Sequence, residues 1–185
     1  PPTGYLLLII RPAEPEDLIA VLTVERAAFG RADEAELVAA LLEDPTAAPR
    51  VSLLAEVDGT PIGHVLFTGA RVQGEGPALA ASLLAPLAVV PEAQRRGVGL
   101  ALIRAGLAAV TALDTGLVFV LGHPSYYPRA GFRPAVPFGL RAPYAIDPAV
   151  ADAWMVCETR PGLLGAVRGT VGCADALMNP VLWRE

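Results

Sequence analysis

The order of apolar runs predicts an α/β fold, a single domain in which helices flank a mixed central β-sheet. Three observations lead there. A β-branched-rich run of strand length, Ser82–Val90, stops at Pro91, and from Val98 onward the apolar residues recur at helical rather than strand spacing. Two further strand-like runs, Val51–Val57 and Ile62–Val72, flank Asp58-Gly59, a dipeptide suited to a tight hairpin turn. A compact run at Gly116–Leu121 follows the central helix, so that strand, helix and strand alternate in its second half. A chain of 185 residues forming one domain buries about 70% of the surface its unfolded form exposes.

In chain order, Tyr5–Ile10 reads as a first strand, bounded by Gly4 and Arg11-Pro12. A helix follows, with Pro15 tolerated in its first turn, Glu16 and Asp17 at its positive end, and Gly30 closing it. Asp33 and Glu36 have capping-box spacing for a second helix, with Leu37, Ala40 and Leu41 on its apolar side, ending before Pro45. After the hairpin, Gln73–Ala81 with its glycines and Pro77 reads as a loop into the central strand. The central helix carries two apolar faces, Leu100, Ile103, Leu107 and Val110 on one and Val98, Leu102, Ala105 and Ala109 on the other, so it is expected to be covered on most sides. Gly122-His123-Pro124 turns the next strand into a short helix from about Ser125 to Ala130, closed by Gly131. Beyond it, Arg133–Asp147 is proline-rich, Trp154–Glu158 reads as a strand, and residues from about 159 to 185 read as an irregular, Gly-rich C-terminal extension.

Composition excludes several functions. All 14 basic residues are arginine, the net charge is −5, and no cation cluster lies outside one turn, which argues against a nucleic-acid partner. The two cysteines, Cys157 and Cys173, are too few for a disulfide framework and match no metal spacing, so no metal is expected and a reducing compartment is. The N-terminal apolar run is too short for a signal peptide, and the longest uncharged stretch, Gly76–Pro91, is shorter than a membrane span. A soluble, cytoplasmic protein with no membrane partner is expected.

Between the central strand and helix lies Gln94-Arg95-Arg96-Gly97-Val98-Gly99, whose glycines permit close backbone approach and whose N–H groups open a helix. Unpaired amides at a positive dipole end, beside two arginines, suit a phosphate or pyrophosphate. Spacing then separates the phosphate-binding families. A P-loop needs a lysine, and the chain has none. A dinucleotide fingerprint needs Gly or Ala where Leu102 stands, and an acidic residue near position 120 that is missing. The remaining pattern, Q-x-x-G-x-G after a V-x-P strand end, resembles the acyl-CoA pyrophosphate loop of the GNAT superfamily of N-acetyltransferases. A second stretch, Tyr126-Tyr127-Pro128-Arg129-Ala130-Gly131-Phe132, is similar to the same family's aromatic-Tyr-x-x-x-Gly-Phe signature, at the expected distance and in the expected order. The resemblance covers roughly Tyr5–Glu158.

This resemblance implies a GNAT-like fold and transfer of an acetyl group from acetyl-CoA to a primary amine. Gln94, Arg95, Arg96, Gly97, Val98 and Gly99 would cradle the pyrophosphate, and Leu87, Ala88 and Val89 would bond the pantetheine through their backbone. An N–H near Val89 would meet the oxyanion, and Tyr127 would be the general acid, a phenol near pKa 10 protonating a thiolate whose thiol lies near 8.5. The central strand lacks the glutamate many relatives use as base. Glu25, His64, His123 and a water chain remain open for that role. Cys157, on an apolar strand, is expected to be packing, so direct transfer is expected rather than an acyl-enzyme. The segment Arg141–Tyr144 and the helices near Phe29–Leu42 occupy regions that commonly wall the acceptor, a small-molecule or peptide amine. The protein is expected as a monomer or homodimer. The rival reading is a non-catalytic acyl-CoA-binding or sensing module, which would need the loop but not Tyr127.

Overall fold

The computed structural model describes residues 7–184. Its elements are β1 (Leu8–Pro12), α1 (Leu18–Phe29), α2 (Asp33–Glu43), β2 (Val51–Val57), β3 (Thr60–Glu75), β4 (Ala80–Val89), α3 (Val98–Ala112), β5 (Leu117–Leu121), β6 (Arg133–Pro134), β7 (Leu140–Arg141), β8 (Trp154–Glu158) and β9 (Arg168–Gly172). The sheet runs β1-β2-β3-β4-β5-β8-β6, with β9 on the far end of β3 and β7 beside it. All neighbours are antiparallel except β4–β5 and β7–β9, the mixed sheet expected. Among the described residues no helix is long and apolar enough to cross a membrane.

One face of the sheet is covered by α1 and α2 with the C-terminal segment, through Val21, Val38, Leu41, Leu54, Leu66 and Trp154; the other by α3, through Leu102, Ile103 and Val110 against Val65, Phe67 and Val118. α3 meets the sheet on one side, while Arg104, Ala108 and Thr111 face solvent, so it is less enclosed than its composition suggests. Alanine leaves both readings open; the sheet occupies only one flank.

Two irregularities of β4 shape the site. Between β3 and β4 the register passes from Val65↔Leu87 to Phe67↔Leu84, so Ala85 and Pro86 together oppose Leu66. A bulge of this kind is where a strand tolerates a proline, which has no N–H to give the ladder. Beyond it, β4 leaves β5: the parallel pairing covers only Ala81–Leu83 against Leu117–Phe119, and the strands splay apart.

Several expectations shift. β1 begins at Leu8 and reaches Pro12; Tyr5 and Leu6 lie outside the described residues. Pro15–Asp17 is a 3-10 turn before α1, and the Asp17 carboxylate accepts from the Glu14 N–H at 2.8 Å. The capping box expected of Asp33 and Glu36 is absent: Ala32 holds the cap position and Asp33 is already helical. The expected loop Gln73–Ala81 shrinks because β3 continues to Glu75, paired with β9, and β4 starts at Ala80. Only a 3-10 turn, Tyr127–Ala130, stands where a short helix was expected. The region after 159 is not wholly irregular, since Arg168–Gly172 is a strand. Its glycines hid it: Gly74 and Gly169 face each other, and a Cβ on either would run into the other's backbone, so the crossing admits no side chain.

Candidate functional site

The turn between β4 and α3 is held open by backbone conformation. Arg95 (φ 60°) and Gly97 (φ 84°) both adopt left-handed geometry, after a 3-10 turn at Pro91–Ala93. Successive amides in such a loop form an anion-binding concavity, and the first N–H groups of α3 have no intrahelical partner. Nothing lies within 4 Å of a Cβ built on Gly97, and Arg95 and Arg96 are exposed beside it, so the face is open. Gln94 behaves differently from the rest of the loop. Its Nε2 donates to Val89 O at 2.9 Å, tying the loop to the strand.

Behind the loop, the strand presents backbone to the splay. Val90 N–H donates to Ile62 O at 3.0 Å, and amides alternate along a strand, so those of Leu87 and Val89 point away from β3 toward the gap left by β5, while Ala88 faces β3 opposite His64. The gap opens into a cavity of about 460 Å³, lined on this side by Leu84–Leu87, Val120, Leu121 and Tyr127. Tyr127 is held by an edge-on contact with Phe132 at 5.7 Å and lies over Gly122, where a Cβ would strike its ring.

Tyr126 points elsewhere. Its hydroxyl occupies the place a Cβ on Gly99 would take, at the first turn of α3, and the Arg129 guanidinium sits 4.9 Å over its ring. Burial raises the Tyr126 phenol above its ordinary value, with Arg129 pulling it part-way back. Gly99 therefore answers first to the protein's own tyrosine, a reason for glycine that the motif alone does not reveal.

The three residues weighed as bases fare differently. His123 is exposed, and its Nδ1 accepts from Ser125 N–H at 3.2 Å and lies 2.8 Å from Ser125 Oγ. These contacts with Ser125 engage Nδ1 in capping the turn before Pro124. Glu25 and His64 are fully buried and meet each other, Nδ1 to Oε1 at 2.5 Å, while Ser52 Oγ lies 2.9 Å from His64 Nε2. Among the described residues Glu25 Oε2 has no hydrogen-bond partner. Burial pushes the Glu25 carboxyl upward, opposed by the His64 contact, and nearby Glu34 pushes it further. Neither residue lines the cavity, although Phe29, one turn beyond Glu25 on α1, and Glu34 do. Arg141–Tyr144, expected to wall the acceptor, is not among the residues lining this cavity; Arg141 reaches Thr170 on β9, at 3.4 Å. In its place stand Leu177 and Val181–Arg184 from the C-terminal segment, which the sequence marks by nothing but scattered apolar residues.

A diverging pair of strands, an amide-lined turn at their mouth and a tyrosine in the gap is the arrangement expected of an acyl-CoA-dependent transferase, and the family model described as an acetyltransferase (GNAT) domain matches residues 9–135. The chain belongs to the GNAT acetyltransferase family. Among curated relatives, this GNAT chain is 44% identical over 163 residues to the uncharacterized N-acetyltransferase YjhQ of Escherichia coli K12, covering 88% of the chain and 90% of the relative. Among solved structures, the GNAT fold superposes on YhbS of Escherichia coli in complex with CoA with a TM-score of 0.85 at 30% identity, over 95% of this chain and 94% of that one. A GNAT family acetyltransferase of Brucella melitensis in complex with acetyl-CoA gives 0.71 at 27% identity, over 94% and 99%.

Proposed function

We propose that this acetyltransferase moves an acetyl group from acetyl-CoA directly to a primary amine, with no acyl-enzyme. The observation that carries the reading is the order of features along β4 and its turn: the open turn at Arg95–Gly99, the outward-facing amides of Leu87 and Val89, and the cavity that Leu87 and Tyr127 line. The turn's N–H groups and the two arginines fit a pyrophosphate, and the exposed strand edge fits a pantetheine amide chain. Gln94 contributes by holding the loop rather than by touching the ligand.

In the reaction the amine lone pair attacks the acetyl carbon, charge builds on the carbonyl oxygen, the C–S bond breaks, and the thiolate takes a proton. An amide of the splayed edge, near Val89, stabilises the oxyanion. Tyr127, which lines the cavity beside the splayed edge, donates the proton to sulfur. The proton lost by the amine passes through water toward Glu25, whose carboxyl is pushed upward by burial and is therefore a stronger base than an exposed carboxylate; His64 orients it. Cys157 stays out of the chemistry: burial raises its thiol, and its Sγ donates to Glu158 O at 3.6 Å.

The test is thermal stability with and without CoA and acetyl-CoA, followed by thiol release with an amine panel. Ligand at 100 times its dissociation constant is expected to add about 2.7 kcal/mol of stability. No shift at millimolar CoA overturns the reading.

A further inference from the structure

We infer that the acceptor is a small amine carried on an apolar or aromatic body, and that Val181–Trp183 of the C-terminal segment is the wall that selects it; the inference rests on the acetyltransferase reading above. The cavity beside Tyr127 is closed on the acceptor side by Phe29 and Leu37 from α1 and α2 and by Val181, Leu182 and Trp183. Three of these apolar side chains remain open to solvent: Phe29 is 38% exposed, Val181 64% and Leu182 41%. Large apolar groups gathered at the mouth of a concave site, rather than scattered singly, mark a surface that an apolar ligand covers.

The charges lining the same mouth balance: Arg31 and Arg184 against Asp33 and Glu34. Arg31 grips Glu34 with two bonds, Nη2 to Oε1 at 2.6 Å and Nε to Oε2 at 3.2 Å, and lies 3.9 Å from Asp33. A second ammonium on the acceptor would have to compete with Arg31 for these carboxylates, and an acceptor carboxylate would have to compete with them for Arg31. Arg184 stands exposed at the rim, where solvent screens it. A volume near 460 Å³, shared with the acetyl group, leaves room for a ring and a short chain.

The wall is built, not draped. Trp183 is buried edge-on against Trp154 at 5.6 Å, which is itself stacked on Phe119 at 5.2 Å, and its Nε1 donates to Leu177 O at 2.9 Å. Upstream, the Asp175 and Ala176 N–H groups donate to Thr46 Oγ1 and Asp44 Oδ2 at 2.8 and 2.9 Å, fastening the segment to the end of α2. These contacts fix Val181 and Leu182 in place without using their side chains.

The experiment compares kcat/KM for phenethylamine, spermidine, an amino acid and a lysine-containing peptide by thiol release from acetyl-CoA, alongside the CoA-induced rise in Tm. Phenethylamine is expected to exceed each of the others by at least tenfold. Leu182→Asp, with its CoA-induced Tm shift intact, is expected to raise KM for phenethylamine about tenfold and to narrow or reverse the preference over spermidine. A CoA-responsive enzyme that prefers spermidine, the amino acid or the peptide overturns this inference and leaves the acetyltransferase reading standing. So does a Leu182→Asp variant with unchanged preference. Loss of any CoA response in the parent protein overturns both.

Discussion

Tyr127 and Tyr126 leave the same short turn in different directions, one into the cavity and one onto the first turn of α3. In the proposed mechanism the Tyr127 hydroxyl acts only as the C–S bond breaks, so Tyr127→Phe is expected to cut kcat by up to about 10²-fold, the lower end for general acid catalysis, with CoA affinity and Tm nearly unmoved. Tyr126→Phe keeps its ring beneath Arg129 and is expected to retain turnover; steady-state kinetics with CoA titration separates the two. Glu25→Gln is expected to lower kcat/KM and remove its rise with pH, while keeping an acceptor for His64 and hence the fold. His64→Ala leaves a buried carboxylate alone and is expected to cost about 3–5 kcal/mol in denaturant unfolding. The placement of the two tyrosines was legible because it follows from spacing along one stretch. The Glu25–His64–Ser52 chain was not: its members sit on α1, β3 and β2, and only tertiary packing shows that two candidate bases are one unit.

At the scale of elements, α3 approaches the sheet where it has no side chain. A Cβ on Gly106 would enter the ring of Phe67, which is fully buried and cannot yield, so Gly106→Ala is expected to lose about 1–3 kcal/mol despite its better helix propensity. Gly97→Val meets no such clash; it is expected to lose CoA binding through its left-handed φ and a side chain over the anion site, whereas Arg95→Ala only weakens binding, more at low salt. Arg11 joins β1 to α1 and β2, bonding Asp17 at 2.6 and 3.0 Å and Glu56 at 2.7 and 3.2 Å. Arg11, and secondarily the Glu14 amide, hold the Asp17 carboxyl at about 2, below an isolated aspartate's 3.8. A depressed acid stabilises the fold above 3.8 and loses that contribution as pH falls toward 2. Tm is expected to drop in that window, and less steeply in Arg11→Met. Helices and the hairpin were legible from period and turn chemistry. The left-handed Arg95 was not, because side chains other than glycine and asparagine give no such signal.

For the whole molecule, the sheet's centre was legible and its C-terminal closure was not. Leu117–Leu121 and Trp154–Glu158 are short apolar runs whose neighbours in the sheet follow from simple topology, whereas β9 is a Gly-containing strand whose partner, the end of β3, was read as loop. Trp183 takes its place in the core through Trp154, which packs edge-on against it at 5.6 Å. Removing it is expected to be global in effect: Trp183→Ala empties a core site at a cost of about 3–5 kcal/mol, measured by urea unfolding.

The pairing of Arg71–Glu75 with Arg168–Gly172 also has a consequence in time. The strand, turn and helix of the candidate cofactor site are contiguous from Ala80 to Ala112, but this ladder must wait for a partner almost a hundred residues downstream. Closing so long a loop costs entropy before any contact repays it, and during synthesis the partner emerges long after β3. Pulse-labelled hydrogen exchange during refolding is therefore expected to protect β4 and α3 before the amides of β9.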